Sequence, residues 1–420
     1  MDASSELAAG ASSGPLPPAL RGLVRSLSLA VVLQWAGAGA ILPLLPLYVK
    51  AHGGSDSVVG AVMAAYFAAA FVFEYGAGRV SDRLGRVPVL VGGLVVYAAG
   101  SFLFLIPAPA LLDVVFRALQ GAGAGGATVA ALAMLAHAVP LSYRGRASGR
   151  VYAAQLGGLG VGPVLGSVAG VGAMHLLFVA AGAASVVAVV PVLSAARAAA
   201  RVATSLPEDV ELPATGGTPA LAPSTAARAV RGALLASAVI GVSSGVYESC
   251  WTLLMTRLGA VSWEVGLSWT LFALPFAVMS RPAGWLADRF DRRWFGVAAL
   301  VWTAGFCAGY PFVKGVVLLM VLGIWESAGF ALALPATQSL LGEGTTPERH
   351  GHAQGLFAAS QTGATALSAA AAGGLFAAAP WLPFDTAAAL SFLIIGMVAL
   401  SWRAVPGRVG TAPVRADAAT

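Results

Sequence analysis

Charge is what this chain has least of. Lys, Arg, Asp and Glu make up 10% of its 420 residues, against roughly a quarter in an ordinary soluble domain. Apolar residues make up 58%, and mean hydropathy is +0.83. Such a composition excludes a soluble globular class. Apolar stretches of about 20 or more residues recur from end to end, each long enough to cross roughly 30 Å of hydrocarbon. Cysteine is scarce too. The two present, Cys250 and Cys307, both lie inside apolar stretches, which excludes a disulfide framework or a thiolate metal centre. No nucleophile–base pair, metal-ligand cluster or phosphate loop is found, so the chain does not read as an enzyme. No length is left for a soluble sensor domain, which speaks against a receptor or scaffold. Residues 1–20 are rich in Ser, Ala and Pro and lack a signal-peptide pattern.

The few charges are placed with a rule. Net charge is +6, yet of the 24 Lys and Arg only Lys50, Arg117, Arg257 and Lys314 fall in odd-numbered connections or clearly within a span, away from its cytoplasmic end. The rest cluster at the termini and in even-numbered connections. By the positive-inside rule both termini and the even loops face the cytoplasm of a cell membrane, plasma or inner. The arginines are spread over short loops, not gathered on one surface, which argues against nucleic acid as a partner. The lipid bilayer is the expected surrounding.

An internal repeat organises the chain. Gly78, Asp82 and Arg83 recur 206 positions later as Gly284, Asp288 and Arg289. At the same offset Gly145, Ala147, Gly149, Gln155 and Gly157 fall on Gly351, Ala353, Gly355, Gln361 and Gly363. The chain is therefore two copies of one polytopic unit. Spans are expected at 26–49, 57–79, 87–106, 110–138, 148–170, 173–193, 232–256, 264–285, 293–313, 315–340, 351–378 and 384–402. The expected organisation is a cytoplasmic tail 1–25, a six-helix bundle 26–193, a cytoplasmic linker 194–231, a second six-helix bundle 232–402 and a tail 403–420. The fold class is all-α integral membrane, with 12 transmembrane helices in two pseudo-symmetric bundles. Trp263, Trp269, Trp285, Trp294, Trp381 and Trp402 fall near span ends, where indole favours the interface.

Four motifs carry a resemblance. Between spans 2 and 3, Gly78-x-x-x-Asp82-Arg83-x-Gly85-Arg86 is similar to the first signature of the major facilitator superfamily, and Gly284-x-x-x-Asp288-Arg289 repeats it between spans 8 and 9. Val87 stands in place of the usual second basic residue, and Asp291 in place of the later copy's second glycine. In span 4, Arg117-x-x-Gln120-Gly121-x-Gly123 resembles the family's second motif. In span 5, Gly149-x8-Gly158-x3-Gly162-Pro163-x2-Gly166-Ser167 resembles the motif of the drug:proton antiporter branch, with Ser167 where glycine is usual. The second copy reads Ala364, Ser368, Ala369 and Ala372 there, so this motif is confined to the first half. In span 1, Gly37-x5-Pro43-x-x-Pro46 resembles a further drug-antiporter signature.

The resemblance implies the major facilitator fold and roles for particular residues. Glu74, Gly78, Asp82, Arg83, Arg86, Gly284, Asp288 and Arg289 would form a conformational latch, with Asp82 near the start of span 11 and Asp288 near the start of span 5. Arg117 would tune proton transfer. Spans 1, 4, 7 and 10 would line a central cavity, which places Glu248 and Glu326 beside the substrate path. A charge inside a span costs about 2.5–3.5 kcal/mol on insertion scales, so it normally faces a partner or a wet cavity. Asp113, four residues before Arg117 on the same helical face, is a candidate to neutralise it. Glu248, Glu326, Arg117 and Asp113 are thus the proton-coupling candidates, and Gln34, Gln120, Tyr247, Trp251 and Trp325 the cavity candidates. No metal or organic cofactor is expected; the proton gradient is the energy source. Acids outnumber bases within the spans, which favours cationic or neutral cargo.

The expected function is proton-coupled efflux of small amphipathic or lipophilic compounds, such as drugs or secondary metabolites, by a monomer. The alternative is proton-coupled uptake of a sugar or other small metabolite. If Asp82 belongs to a latch, Asp82→Asn slows cycling in transport assays and leaves the substrate spectrum as it was. A changed spectrum would count against the latch.

Overall fold

The computed structural model describes residues 16–139, 141–205 and 221–407; within them the surroundings of Gly78 and Gly284 and the side chains of Asp82 and Asp288 lie outside the description. The long helices are α1 (Pro18–Ile41), α2 (Asp56–Leu84), α3 (Arg86–Leu103), α4 (Leu112–Ala138), α5 (Leu141–Ala169), α6 (Met174–Ser205), α7 (Pro223–Arg257), α8 (Ser262–Arg289), α9 (Arg292–Gly309), α10 (Val316–Glu343), α11 (Pro347–Ala378) and α12 (Leu382–Trp402). They match the twelve expected spans in order, so each α number is also a span number.

Several boundaries differ from expectation. Pro18–Arg25 is already helical, so α1 begins inside the expected tail. The expected linker is largely helix at both ends: α6 runs on to Ser205 and α7 starts at Pro223. Alanine-rich stretches after the apolar run simply continue the helix. The tail positions 1–15 and 408–420 and the linker positions 206–220 lie outside the described residues. Span 1 is broken where one helix was expected. It stops at Ile41 and resumes as a short helix, Leu45–Ala51, because Pro43 and Pro46 lack the N–H groups that would carry the ladder through. The carbonyl of Pro43 accepts a hydrogen bond from Thr252 Oγ1 of α7 at 2.8 Å. The break thus ties the two halves together.

Among the described residues, ten of the twelve helices are long and apolar enough to cross a membrane by length and composition. The other two are α8 and α11. Both pack extensively on the opposite half, α8 on α5 and α11 on α2. A helix covered by protein on one side needs less apolar surface than one bathed in lipid.

The two halves share an apolar core at one end only. At the end carrying the odd-numbered connections, one apolar core runs through both, from Ile41, Tyr48 and Phe178 to Trp251, Tyr310 and Phe384. At the arginine-rich end the core splits in two. One part, around Leu23, Leu94 and Val192, belongs to the first half; the other, around Leu300, Leu340 and Trp402, to the second. There Val80, Leu84 and Leu356 are exposed, and a methyl added at Gly149, Gly351 or Gly355 would meet nothing within 4 Å.

Glycine makes the closed end possible. A Cβ at Gly60 of α2 would fall 2.8 Å from the carbonyl oxygen of Ala369 and from the amide nitrogen of Gly373 on α11. The repeat-related contact, at the 206 offset, pairs Gly266 of α8 with Ser167 of α5; a Cβ at Gly266 would overlap the Ser167 side chain. In both places backbones approach to a distance that only a missing side chain permits. Gly60→Val is expected to push this end apart and populate a form open there. Spin labels at the exposed positions Gly172 and Trp381 read the separation, and Cys250 and Cys307 are both buried. An unchanged distance distribution would refute the clamp.

Candidate functional site

Where the halves face each other, α4 contributes Arg117, which is 2% exposed. Its Nη1 donates to Gln120 Oε1 at 2.8 Å. Gln120 Nε2 donates to Ser101 Oγ at 2.9 Å, and Ser101 donates to the Tyr97 carbonyl at 2.9 Å. The guanidinium lies 4.2 Å from the centre of the Tyr66 ring, a cation–π contact that is stronger when desolvated. Gly121 and Gly123 of the same motif abut the backbones of Tyr66 and Tyr97, which lets α4 wedge between α2 and α3.

Two expectations are corrected here. Asp113 does not neutralise Arg117: among the described residues no ion pair joins them. Arg117 instead finds its partners toward the helix middle, in the Gln120 amide and the Tyr66 ring. Asp113 is buried near the closed end, its Oδ2 without a hydrogen-bond partner and its charge interacting with His52. Gln120 is not a cavity residue. It is fully buried and spent on bridging Arg117 to α3.

Glu248 reaches this cluster from the other half. It is partly buried on α7, its Oε2 has no hydrogen-bond partner, and Arg117 is the charged group it interacts with. Tyr66 interacts with Arg117, Glu248 and Glu74. Base and acid therefore come from different halves, and the charges of both act on Tyr66. Nearby, Glu74 Oε2 accepts from Thr362 Oγ1 at 3.3 Å, across the α2–α11 contact. Of the other expected latch residues, Arg83 and Arg289 are exposed and Arg86 is partly buried. Gly78, Asp82, Gly284 and Asp288 fall outside the described surroundings.

Glu326 occupies a separate place. It is 2% exposed on α10; Tyr247 Oη donates to its Oε1 and Tyr310 Oη to its Oε2, each at 2.6 Å. It sits at the edge of a cavity of about 420 Å³, open mouth included, walled by Tyr247, Trp251, Trp269 and Phe272 and by Ser268. All of these belong to α7, α8 and α10, so the cavity lies within the second half. Tyr247 and Trp251 line this cavity within the second half, not a central space enclosed by spans 1, 4, 7 and 10. Trp325 lines neither: it is 59% exposed on the outer face, and its carbonyl accepts from Trp302 Nε1 at 3.0 Å. Neighbours on a helix point about 100° apart, so turning Glu326 inward turns Trp325 out. Gln34 lines a different cavity, of about 520 Å³, inside the first half together with Trp35, Thr128 and Gln155.

The sequence reading passed over Tyr310, Ser268 and the cavity role of Trp269. Tyr310 closes α9 beside a proline, a position that looks like an ordinary interfacial turn, and its repeat equivalent is the apolar Phe104. Trp269 and Trp402 were expected at the interface. Trp269 walls the cavity, and Trp402 is 1% exposed, its Nε1 donating to the Ala229 carbonyl at 3.3 Å. Asp291, the departure in the second latch copy, caps α9 by accepting from the Arg293 amide at 3.1 Å. The Arg293 guanidinium beside it holds its carboxyl below the ordinary carboxylate range.

The span 5 motif is a packing face. Gly158, Gly162 and Gly166 abut Trp35, Ala36 and Ala40 of α1, and Pro163 lies against Gly39, whereas Gly149 has no such neighbour. In the second half the same approach is made from the other side: Gly241 and Gly245 of α7 abut Gln361 and Thr365 of α11. The glycines have changed helix, and close packing survives in both halves.

Residues 27–256 and 233–419 each match the family described as Major Facilitator Superfamily. The chain belongs to the major facilitator superfamily. It is therefore a multi-pass membrane protein of a family of transporters, not an enzyme. It is similar to the inner membrane transport protein YajR of Escherichia coli (strain K12), 40% identical over 101 residues, 24% of this chain and 22% of that protein. It is also similar to multidrug resistance protein 2 of Bacillus subtilis (strain 168), 29% identical over 163 residues, 39% of this chain and 41% of that protein. The chain thus spans less than half the length of the curated relatives it matches. Among solved structures, a mutant of the nucleoside transporter NupG superposes with a TM-score of 0.67 at 15% identity, over 91% of this chain and 99% of that one. That likeness shows the fold.

Removing one donor from Glu326 tests how the second half is held. Tyr310→Phe is expected to cost about 1–3 kcal/mol, the usual loss when a buried acceptor loses a hydrogen bond. Thermal unfolding of the purified protein measures it, and an unchanged midpoint would show that the hydroxyl holds nothing.

Proposed function

We propose that this transporter exports small amphipathic or lipophilic compounds, drugs or secondary metabolites, in exchange for protons. It would work in the plasma or inner membrane as a monomer, with both termini and the arginine-rich end in the cytoplasm. The arrangement described above would then be the form that loads cargo from the cytoplasm. The printed name of the Bacillus subtilis relative, a multidrug resistance protein, supports export.

The reading of the coupling rests on charge placement: Glu248 and Arg117 come from opposite halves, the charge of Arg117 acts on Glu248, and Arg117 lies over the Tyr66 ring. A charged Glu248 attracts Arg117 and favours the halves as they stand. A protonated one does not, and the halves are freer to rock about the site. Glu326 is less suited to this task, because its partners Tyr247 and Tyr310 move with it in the same half. Each proton entering down a membrane potential supplies about 2.3 kcal/mol per 100 mV.

Uptake of a sugar or small metabolite is the weaker reading. A sugar site needs several hydrogen-bonding groups, and the cavity beside Glu326 is walled mainly by aromatic rings. Glu248→Gln is expected to lower gradient-driven export by about tenfold or more, as charge-neutral carboxyl replacements at a coupling site do, while membrane insertion is unchanged. Drug susceptibility of cells with and without the gene, and cargo accumulation before and after the gradient is dissipated, provide the measurement. Undiminished export by this variant removes Glu248 from the coupling role.

A further inference from the structure

The α5–α8 and α2–α11 contacts are related by the 206-residue repeat but differ in chemistry at matched positions. Between α5 and α8, Thr270 Oγ1 donates to the Gly160 carbonyl at 2.6 Å, from one half to the other. One turn nearer the closed end, Ser167 packs against Gly266. The repeat equivalents of Thr270 and Gly160 are Ala64 and Ala366, and those of Gly266 and Ser167 are Gly60 and Gly373. None of these four has a side chain that can donate or accept.

The two hydroxyls of the α5–α8 contact stand in opposite conditions. That of Thr270 is satisfied. Gly160 sits in the turn before Pro163, where the missing N–H weakens the helical ladder and a hydroxyl from a neighbouring helix can compensate. Thr270 is the ninth of 28 residues in α8 and Gly160 the twentieth of 29 in α5, so both lie on the closed side of their helix midpoints. Parting that end breaks the bond.

The hydroxyl of Ser167 is unmet. The residue is 2% exposed, and its Oγ has no hydrogen-bond partner. It is not bonded back to the Pro163 carbonyl one turn earlier, the usual resort of a helical serine. That carbonyl lies against the Gly266 position instead. A buried hydroxyl without a partner is destabilising, and water relieves it once the end opens.

We propose that the α5–α8 contact is an opposed pair that keeps the closed end reversible: Thr270 favours the end as it stands, and Ser167 favours its opening. The serine occupies the position where the resembled motif has glycine and where the repeat has Gly373. Glycine there would preserve the close approach and remove the opposing group. The inference concerns the equilibrium between two forms of the transporter. It depends on neither the export reading nor proton coupling.

Spin labels at Gly172 and Trp381 of the purified full chain, without gradient or cargo, give the ratio of long to short distances across this end. Thr270→Val removes the hydroxyl and is expected to raise that ratio about fivefold, the effect of one hydrogen bond. Thr270→Ser is expected to restore it to within about twofold of native. Ser167→Ala, added to Thr270→Val so that the open form is populated, is expected to lower the ratio about fivefold. Gly60→Val supplies the open background should Thr270→Val fail to fold, and Ser167→Ala must act there in the same direction. The proposal is overturned if Ser167→Ala raises the ratio or leaves it unchanged, or if Thr270→Ser does not restore it. A shift in melting temperature with the ratio unchanged shows a merely structural role and overturns it too.

Discussion

The arrangement depends on how closely two backbones can approach. Gly60 against Gly373, and Gly266 against Ser167, bring α2 onto α11 and α8 onto α5 at the closed end. There the apolar side chains of both halves merge into one core, and the Pro43 carbonyl, freed by the break in α1, is satisfied from α7. At the other end each half keeps its own core. Interior packing is dense and does not deform continuously. A transporter that joins its halves by a few glycine contacts can therefore part them there and close elsewhere without rebuilding either bundle.

Burial makes the embedded acids informative. Each must be held by something, and what holds it indicates its work. Glu248 has no hydrogen-bond partner on Oε2, and the charged group acting on it, Arg117, belongs to the opposite half. Glu326 is held by tyrosines of its own half. Arg117 is held within its half by Gln120 and Tyr66 and offers its charge outward. Asp113, four residues away on the same helix, takes no part in this because the arginine extends in the other direction.

The span 5 glycines show how a motif and its cause can separate. Read along the chain, they are confined to the first half and look like a mark of one transporter branch. In three dimensions they are one solution to a packing need that the second half solves with Gly241 and Gly245 on the partner helix. Linear comparison of α5 with α11 could not find this, because close contact requires a small residue on one helix of a pair and does not specify which.

Length, hydropathy and the 206-residue repeat pointed to twelve spans in two related halves, because the bilayer demands long apolar helices and duplication leaves its spacing in the chain, and four motifs carried the resemblance to the family. The resemblance, which sets spans 7 and 10 at a cavity, also implied such a place for Tyr247, Trp251 and Glu326. It could not separate the two glutamates, since both lie in similar apolar stretches and differ only in which half supplies their neighbours. Nor could it find Tyr310 beside Glu326, turn Trp325 outward, or bury Trp402 against Ala229. Those outcomes were decided by tertiary packing: a contact between residues far apart in the chain depends on the rotation of each helix, and rotation is set only when the helices meet.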